Sequence, residues 1–131
     1  MDIEDVTHVK NAVHNPNDPR HFMRIVPAAE PKVAVLADQK IAESSAAIVV
    51  KEVGRDIYDP VIYFPRDDVA MDLLVRTEKT THCPLKGDTE YFDVVIGNER
   101  VPDAAWSYVE MVAGFELQDL VAFDARVITV S

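Results

Sequence analysis

The stretch "TEYFDVVIGNERVP", residues 89–102, decides the fold class. Thr89 to Ile96 is a run of β-branched and aromatic residues. Gly97-Asn98 interrupts it, and Glu99 opens a second extended run. A Gly-Asn pair between two such runs supplies the positive-φ residues of a two-residue hairpin turn, so the pairing it predicts is antiparallel.

Working outward, "HFMRIV" (21–26), "KVAVLA" (32–37), "AAIVVKEV" (46–53), "VIYFP" (61–65) and "DLVAFDARVITV" (119–130) share this character. Each reads as a strand, the last as one or two. Pro27, Pro31, Asp38-Gln39, Gly54 and Pro65 punctuate them. A helical turn over 43–48 is compatible with the sequence, and Asp67 or Asp68 is placed to cap a short turn leading into "MDLLV". Eight prolines and no sustained 3.6-residue period predict a mainly β, small antiparallel β domain with few short helices. Residues 1–20 read as an N-terminal arm on the surface, with a helical turn possible over 4–12 and ended by Pro16 and Pro19. Residues 21–131 read as a single β-rich domain without repeats or linkers.

A chain of 131 residues fits one domain with its own core. Its net charge of −10 opposes nucleic-acid backbones and anionic membranes as partners. One cysteine cannot close an internal disulfide, and the N-terminus opens with Asp2, Glu4 and Asp5 instead of a charged-then-apolar leader, so a cytoplasmic setting is expected. No apolar run approaches the ~20 residues that span a bilayer. Phosphate-loop, dinucleotide and nucleophile-elbow patterns are absent, with four glycines in the chain.

Three segments concentrate reactive side chains: "YFPRDDV" (63–69), "TTHCPLKGD" (80–88) and "DAAWSY" (103–108). Pro84 biases Cys83 toward an extended backbone, which sends the adjacent His82 and Cys83 to opposite faces and works against a direct dyad. Cys83 is then either a thiol activated by Lys86 or a small buried hydrophobe. With Asp68 and Asp72, it is one of the candidate catalytic groups. Basic residues are scarce, so Arg66 and Lys86 together would form a local anion pocket. Tyr63, Trp106 and Tyr108 complete the expected ligand-binding set. Trp106 and Tyr108, two apart, share one face of a strand and serve either a pocket wall or the core. Paired Cys or His ligands are missing, so neither a metal nor a cofactor is expected.

"VIYFPRDDVAMDLL", "TTHCPLKGDTEYFDV" and "DAAWSY", in this order and spacing, resemble the domain of unknown function family 427, small proteins found mainly in bacteria. The resemblance runs from about residue 30 to 125. It falls on Tyr63, Pro65, Arg66, Asp68, Val69, Asp72, Leu74, Thr81, Cys83, Pro84, Lys86, Gly87, Tyr91 and the run Ala105 to Tyr108. Leu85 stands where the family has an aromatic residue, Phe92 where tryptophan is common, and Val109-Glu110 where proline is frequent. The resemblance implies a β-tent-like domain, without the two Cys-x-x-Cys pairs of its zinc-bearing relatives. The family is uncharacterised; a label of nucleotidyl transfer circulates for it, but this chain has no sugar-nucleotide or phosphate-loop motif to match. Two functional readings follow. One is a domain binding or transforming a small anionic molecule in a pocket built from the three segments. The other is a non-enzymatic interaction module, homodimeric through its strand edges.

Overall fold

The computed structural model describes residues 12–15, 17–54, 56–83, 85–111 and 119–131. The chain is a mainly antiparallel β domain. Its larger sheet has eight strands in the order β1-β2-β5-β6-β10-β9-β8-β7, and a smaller sheet has three in the order β11-β3-β4. The strands are β1 (Val13–Asn15), β2 (Asp18–Pro27), β3 (Lys32–Leu36), β4 (Gln39–Ser44), β5 (Ile48–Val53), β6 (Val61–Pro65), β7 (Leu74–Cys83), β8 (Gly87–Ile96), β9 (Glu99–Met111), β10 (Leu120–Phe123) and β11 (Thr129–Val130). The described helices are two single 3-10 turns, Arg66–Asp68 and Met71–Leu73.

The hairpin read from residues 89–102 is present, with Ile96 opposite Glu99 across Gly97-Asn98. Only Gly97 has a positive φ, +59°, so the turn has the single left-handed residue of the II′ form and not the pair first expected.

Period-two alternation along the central strands separates two apolar clusters. Phe64, Phe92, Val94, Val121 and Phe123 pack with Ala34, Ile41 and Ala42 of the smaller sheet. On the other face, Tyr63, Tyr108 and Ala122 pack with Met23, Val50 and Leu85.

Several local expectations are corrected. The arm expected over residues 1–20 gives way at Val13, because β1 and the start of β2 form a hairpin that joins the large sheet through the β2–β5 pairing. Asn17, between the paired Asn15 and Asp18, therefore lies in that hairpin's turn; the helical turn expected over 4–12 falls largely outside the described residues. The β3–β4 turn is Ala37-Asp38, both left-handed at φ 50° and 61°, one residue earlier than the Asp38-Gln39 reading. No helical turn forms over 43–48, since Ser44 ends β4 and its Oγ accepts the Ala46 N–H instead. Neither Asp67 nor Asp68 caps the turn into "MDLLV": Ala70 precedes Met71–Leu73 without a side-chain cap, and both aspartates lie within the Arg66–Asp68 turn. Ser44 Oγ donates to Asp68 at 2.6 Å, pinning the end of β4 to this turn.

β7 carries the weakest strand signal in its sequence, "LVRTEKTTHC", with most of its residues exposed. It lies at the sheet edge, where no second neighbour requires an apolar alternation.

Candidate functional site

The three motif segments lie side by side. "YFP" is on β6, "TTHC" and "GD" on the β7–β8 hairpin, and "DAAWSY" on β9. Alternate residues of each point to opposite faces of the sheet, so the segments build two polar centres rather than one.

The first centre surrounds Lys86. Its Nζ lies 2.7 Å from Glu52 Oε1, and both side chains are nearly buried, 12% and 16% exposed. Glu52 Oε2 accepts from His21 Nε2 at 2.9 Å. Asn15 Nδ2 donates to His21 Nδ1 at 3.2 Å, a pattern that places the imidazole proton on Nε2. The Lys86 ammonium lies 5.9 Å from the Tyr108 ring. Trp106 Nε1 donates to the Tyr63 hydroxyl at 3.3 Å, and Tyr63 also hydrogen-bonds Tyr108.

Electrostatics fix the protonation states here. Burial works against the Lys86 charge, but the hydrogen bond and opposite charge of Glu52 help to outweigh it, and the ammonium is held above its usual range. Burial likewise opposes the Glu52 charge, and its hydrogen bonds and charge contacts with Lys86 and His21 overcome that and lower it. Burial raises both Tyr63 and Tyr108, whose phenols stay protonated. Lys86 is thus a charged anchor and not a free amine nucleophile, and the tyrosines are donors and not bases. The charges of Lys86 and Glu52 cancel.

The second centre lies on the opposite face. Arg66 Nη2 contacts Glu90 Oε1 at 3.0 Å and Ser107 Oγ at 3.1 Å, and its guanidinium carbon lies 5.9 Å from the Phe92 ring centre. Arg76 Nε reaches the other oxygen of the same carboxylate, Glu90 Oε2, at 3.2 Å. Glu90 is 11% exposed, Arg66 34% and Arg76 65%. Arg66 Nε is buried and has no acceptor among the described residues. Two guanidiniums sharing one carboxylate leave one positive charge uncompensated. Arg76 also lines a groove of about 800 Å³ with Thr80, Thr81, His82, Thr89 and Val109, and the one carboxylate in its wall, Asp88, is paired with His82.

Lys86 and Arg66, expected to meet, therefore do not. Tyr63, Cys83, Lys86, Trp106 and Tyr108 gather on one face, and Arg66 belongs to the other. Among the catalytic candidates, Cys83 is half-buried against the Tyr63 cluster, while His82 turns outward to Asp88 at 2.6 Å. Asp68 is engaged by Ser44. Asp72 is exposed and its side chain makes no hydrogen bond or ion pair among the described residues. Among the described residues, no three His, Cys, Asp or Glu side chains are placed to hold a metal ion, and no helix is long and apolar enough to cross a membrane. Sequence reasoning missed Glu52, His21, Glu90 and Arg76. The signal for Glu90 and Arg76 lies in the β7–β8 register, which sets Arg76 opposite Phe92 and Thr80 opposite Glu90.

The fold and these centres define a small antiparallel β domain with a closed charge pair on one face of its main sheet and an open arginine pair on the other. The chain belongs to the family described as domain of unknown function (DUF427), whose model matches residues 24–130. No curated protein matches it.

Proposed function

We propose that the protein is a binding domain for a small anionic molecule, and that Arg66 and Arg76 are its binding groups. The observation that carries this reading is the sharing of Glu90 between two guanidiniums, which leaves a net positive charge and unused donors in a protein of net charge −10. Guanidinium forks match the oxygens of carboxylate and phosphate, and the largely exposed Arg76 presents such a fork to solvent. Segments one and three contribute Arg66 and Ser107, and segment two contributes the Thr80–His82 wall of the groove. The overall negative charge admits small anions and repels polyanions, and the same charge and lone cysteine fit a cytoplasmic protein.

A strand-edge interaction module is the less supported reading. The β7 edge carries Arg76, Glu78, Lys79 and His82 and is irregular between Arg76 and Thr80, both features that discourage edge pairing.

Inorganic phosphate is the simplest probe. It is expected to raise the thermal midpoint of the wild-type chain above that in chloride of equal ionic strength, and Arg76→Gln is expected to abolish the difference. Arg76 is largely exposed, so this variant keeps the fold. An identical phosphate response in wild type and Arg76→Gln, or none in either, would refute the assignment.

A further inference from the structure

Where β6 begins and β10 ends, a pocket of about 240 Å³ opens beside Trp106. Val61, Ile62, Phe123 and the indole give it an apolar wall, and the two charged residues lining it are Asp59 and Asp124. Its charge is therefore the reverse of the arginine centre's. Asp124 is held below the usual carboxylate range by its hydrogen bonds to Arg126, which outweigh its partial burial, so it is ionised at neutral pH. Asp59 makes no ion pair among the described residues.

We infer that this pocket binds a small organic ammonium, with the cation on Asp59 and the apolar body against Trp106. Three observations support this. An anion would face two carboxylates with no cation among the lining residues. A cation over an indole face gains a further attraction, and the chain already does this nearby: Lys79 Nζ sits 4.4 Å from the Tyr91 ring, which is itself 6.4 Å from Trp106. Arg126 shows that a carboxylate here accepts a cation: its Nε lies 3.0 Å from Asp124 Oδ1 and its Nη2 2.8 Å from Oδ2, so both Asp124 oxygens are paired and Asp59 is the pocket's uncompensated carboxylate; the guanidinium is 89% exposed and lines the adjoining recess. The volume is below the roughly 300–1,000 Å³ of sites for drug-sized ligands, so the ligand is one ring or a short chain bearing an amine.

Trp106 is the chain's only tryptophan, so its fluorescence reports on this pocket. The probes are phenethylammonium and 3-phenylpropionate, which share an apolar body and differ in charge. The ammonium is expected to change the emission saturably and the carboxylate to leave it unchanged. Asp59→Asn is expected to weaken ammonium binding about tenfold, equivalent to roughly 1.4 kcal/mol. Asp38→Asn, the same charge change at the distant β3–β4 turn, is expected to leave it intact, as is Arg76→Gln, which separates this pocket from the arginine centre. Equal responses to the two probes, no response to the ammonium, or Asp38→Asn matching Asp59→Asn would each overturn the inference.

Discussion

Lys86 and Arg66 are held on opposite faces of one sheet, each by a different glutamate: Lys86 Nζ lies 2.7 Å from Glu52 Oε1 and Arg66 Nη2 3.0 Å from Glu90 Oε1. The distances are alike, but the settings are not. Glu52 balances one ammonium in a nearly buried site, whereas Glu90 is divided between two guanidiniums. The first arrangement holds strands together, and the second keeps charge available to a ligand.

Breaking the enclosed pair is expected to cost stability without touching anion binding. Lys86→Met leaves Glu52 ionised and half-satisfied, and removing one partner of a buried pair costs about 3 kcal/mol. Urea denaturation read by Trp106 emission measures this. A loss below about 1 kcal/mol would show the pair to be as weak as a surface salt bridge.

The same pair sets an acid limit. In the fold, Lys86 and His21 overcome burial and hold Glu52 below its ordinary value of 4.5, so near and below that pH the native state binds fewer protons than the unfolded chain. This contribution is complete above pH 4.5 and disappears as the pH falls through the lower folded value. The urea midpoint of Glu52→Gln is therefore expected to fall less between neutral and acid pH than that of the wild type. Parallel curves would mean that other carboxylates carry the acid sensitivity.

Gly97 isolates the cost of backbone conformation. A Cβ there meets nothing within 4 Å, but φ is +59°. Gly97→Ala and Gly97→Asn are each expected to lose about 1 kcal/mol, because the first central position of a II′ turn suits glycine alone. A loss near zero in either variant would place the cost elsewhere than in φ.

The exposed edge of β7 is expected to stay unpaired because of its charges. Replacing Glu78 and Lys79 with valine removes two of them from a ten-residue edge strand and is expected to promote self-association in sedimentation velocity. Unchanged sedimentation would point to the irregularity between Arg76 and Thr80 as the sufficient guard.

Most strands were legible because their β-branched and aromatic runs are bounded by turn residues; β6, residues 61–65, coincides with its predicted bounds. β7 and the β1–β2 hairpin were not. An edge strand with one paired side has no need of an apolar period, and "NPNDP" marks a turn without saying that strands flank it. The composition of the site was legible and its partition was not. Period-two alternation shows that Trp106 and Tyr108 share a face, but which face Arg66 joins depends on the 3-10 turn after Pro65. The partners Glu52 and Glu90 are 34 and 24 residues from their cations in sequence, and only strand order brings them together.

Between Phe92 and Val94 of β8, the register on β9 moves from Ala105 to Val101, and Asp103 takes a φ of +48° in this interval. Two steps on one strand thus face four on the other, a surplus of two residues. Because the surplus is even, Trp106 and Ser107 keep the faces that an uninterrupted strand would give them. Removing one residue here would exchange them, placing the indole beside Arg66 and the hydroxyl beside Tyr63. Lengthening or shortening this part of the chain is therefore compatible with both sites only in pairs of residues, a constraint on insertions and deletions that should be visible among relatives of this protein.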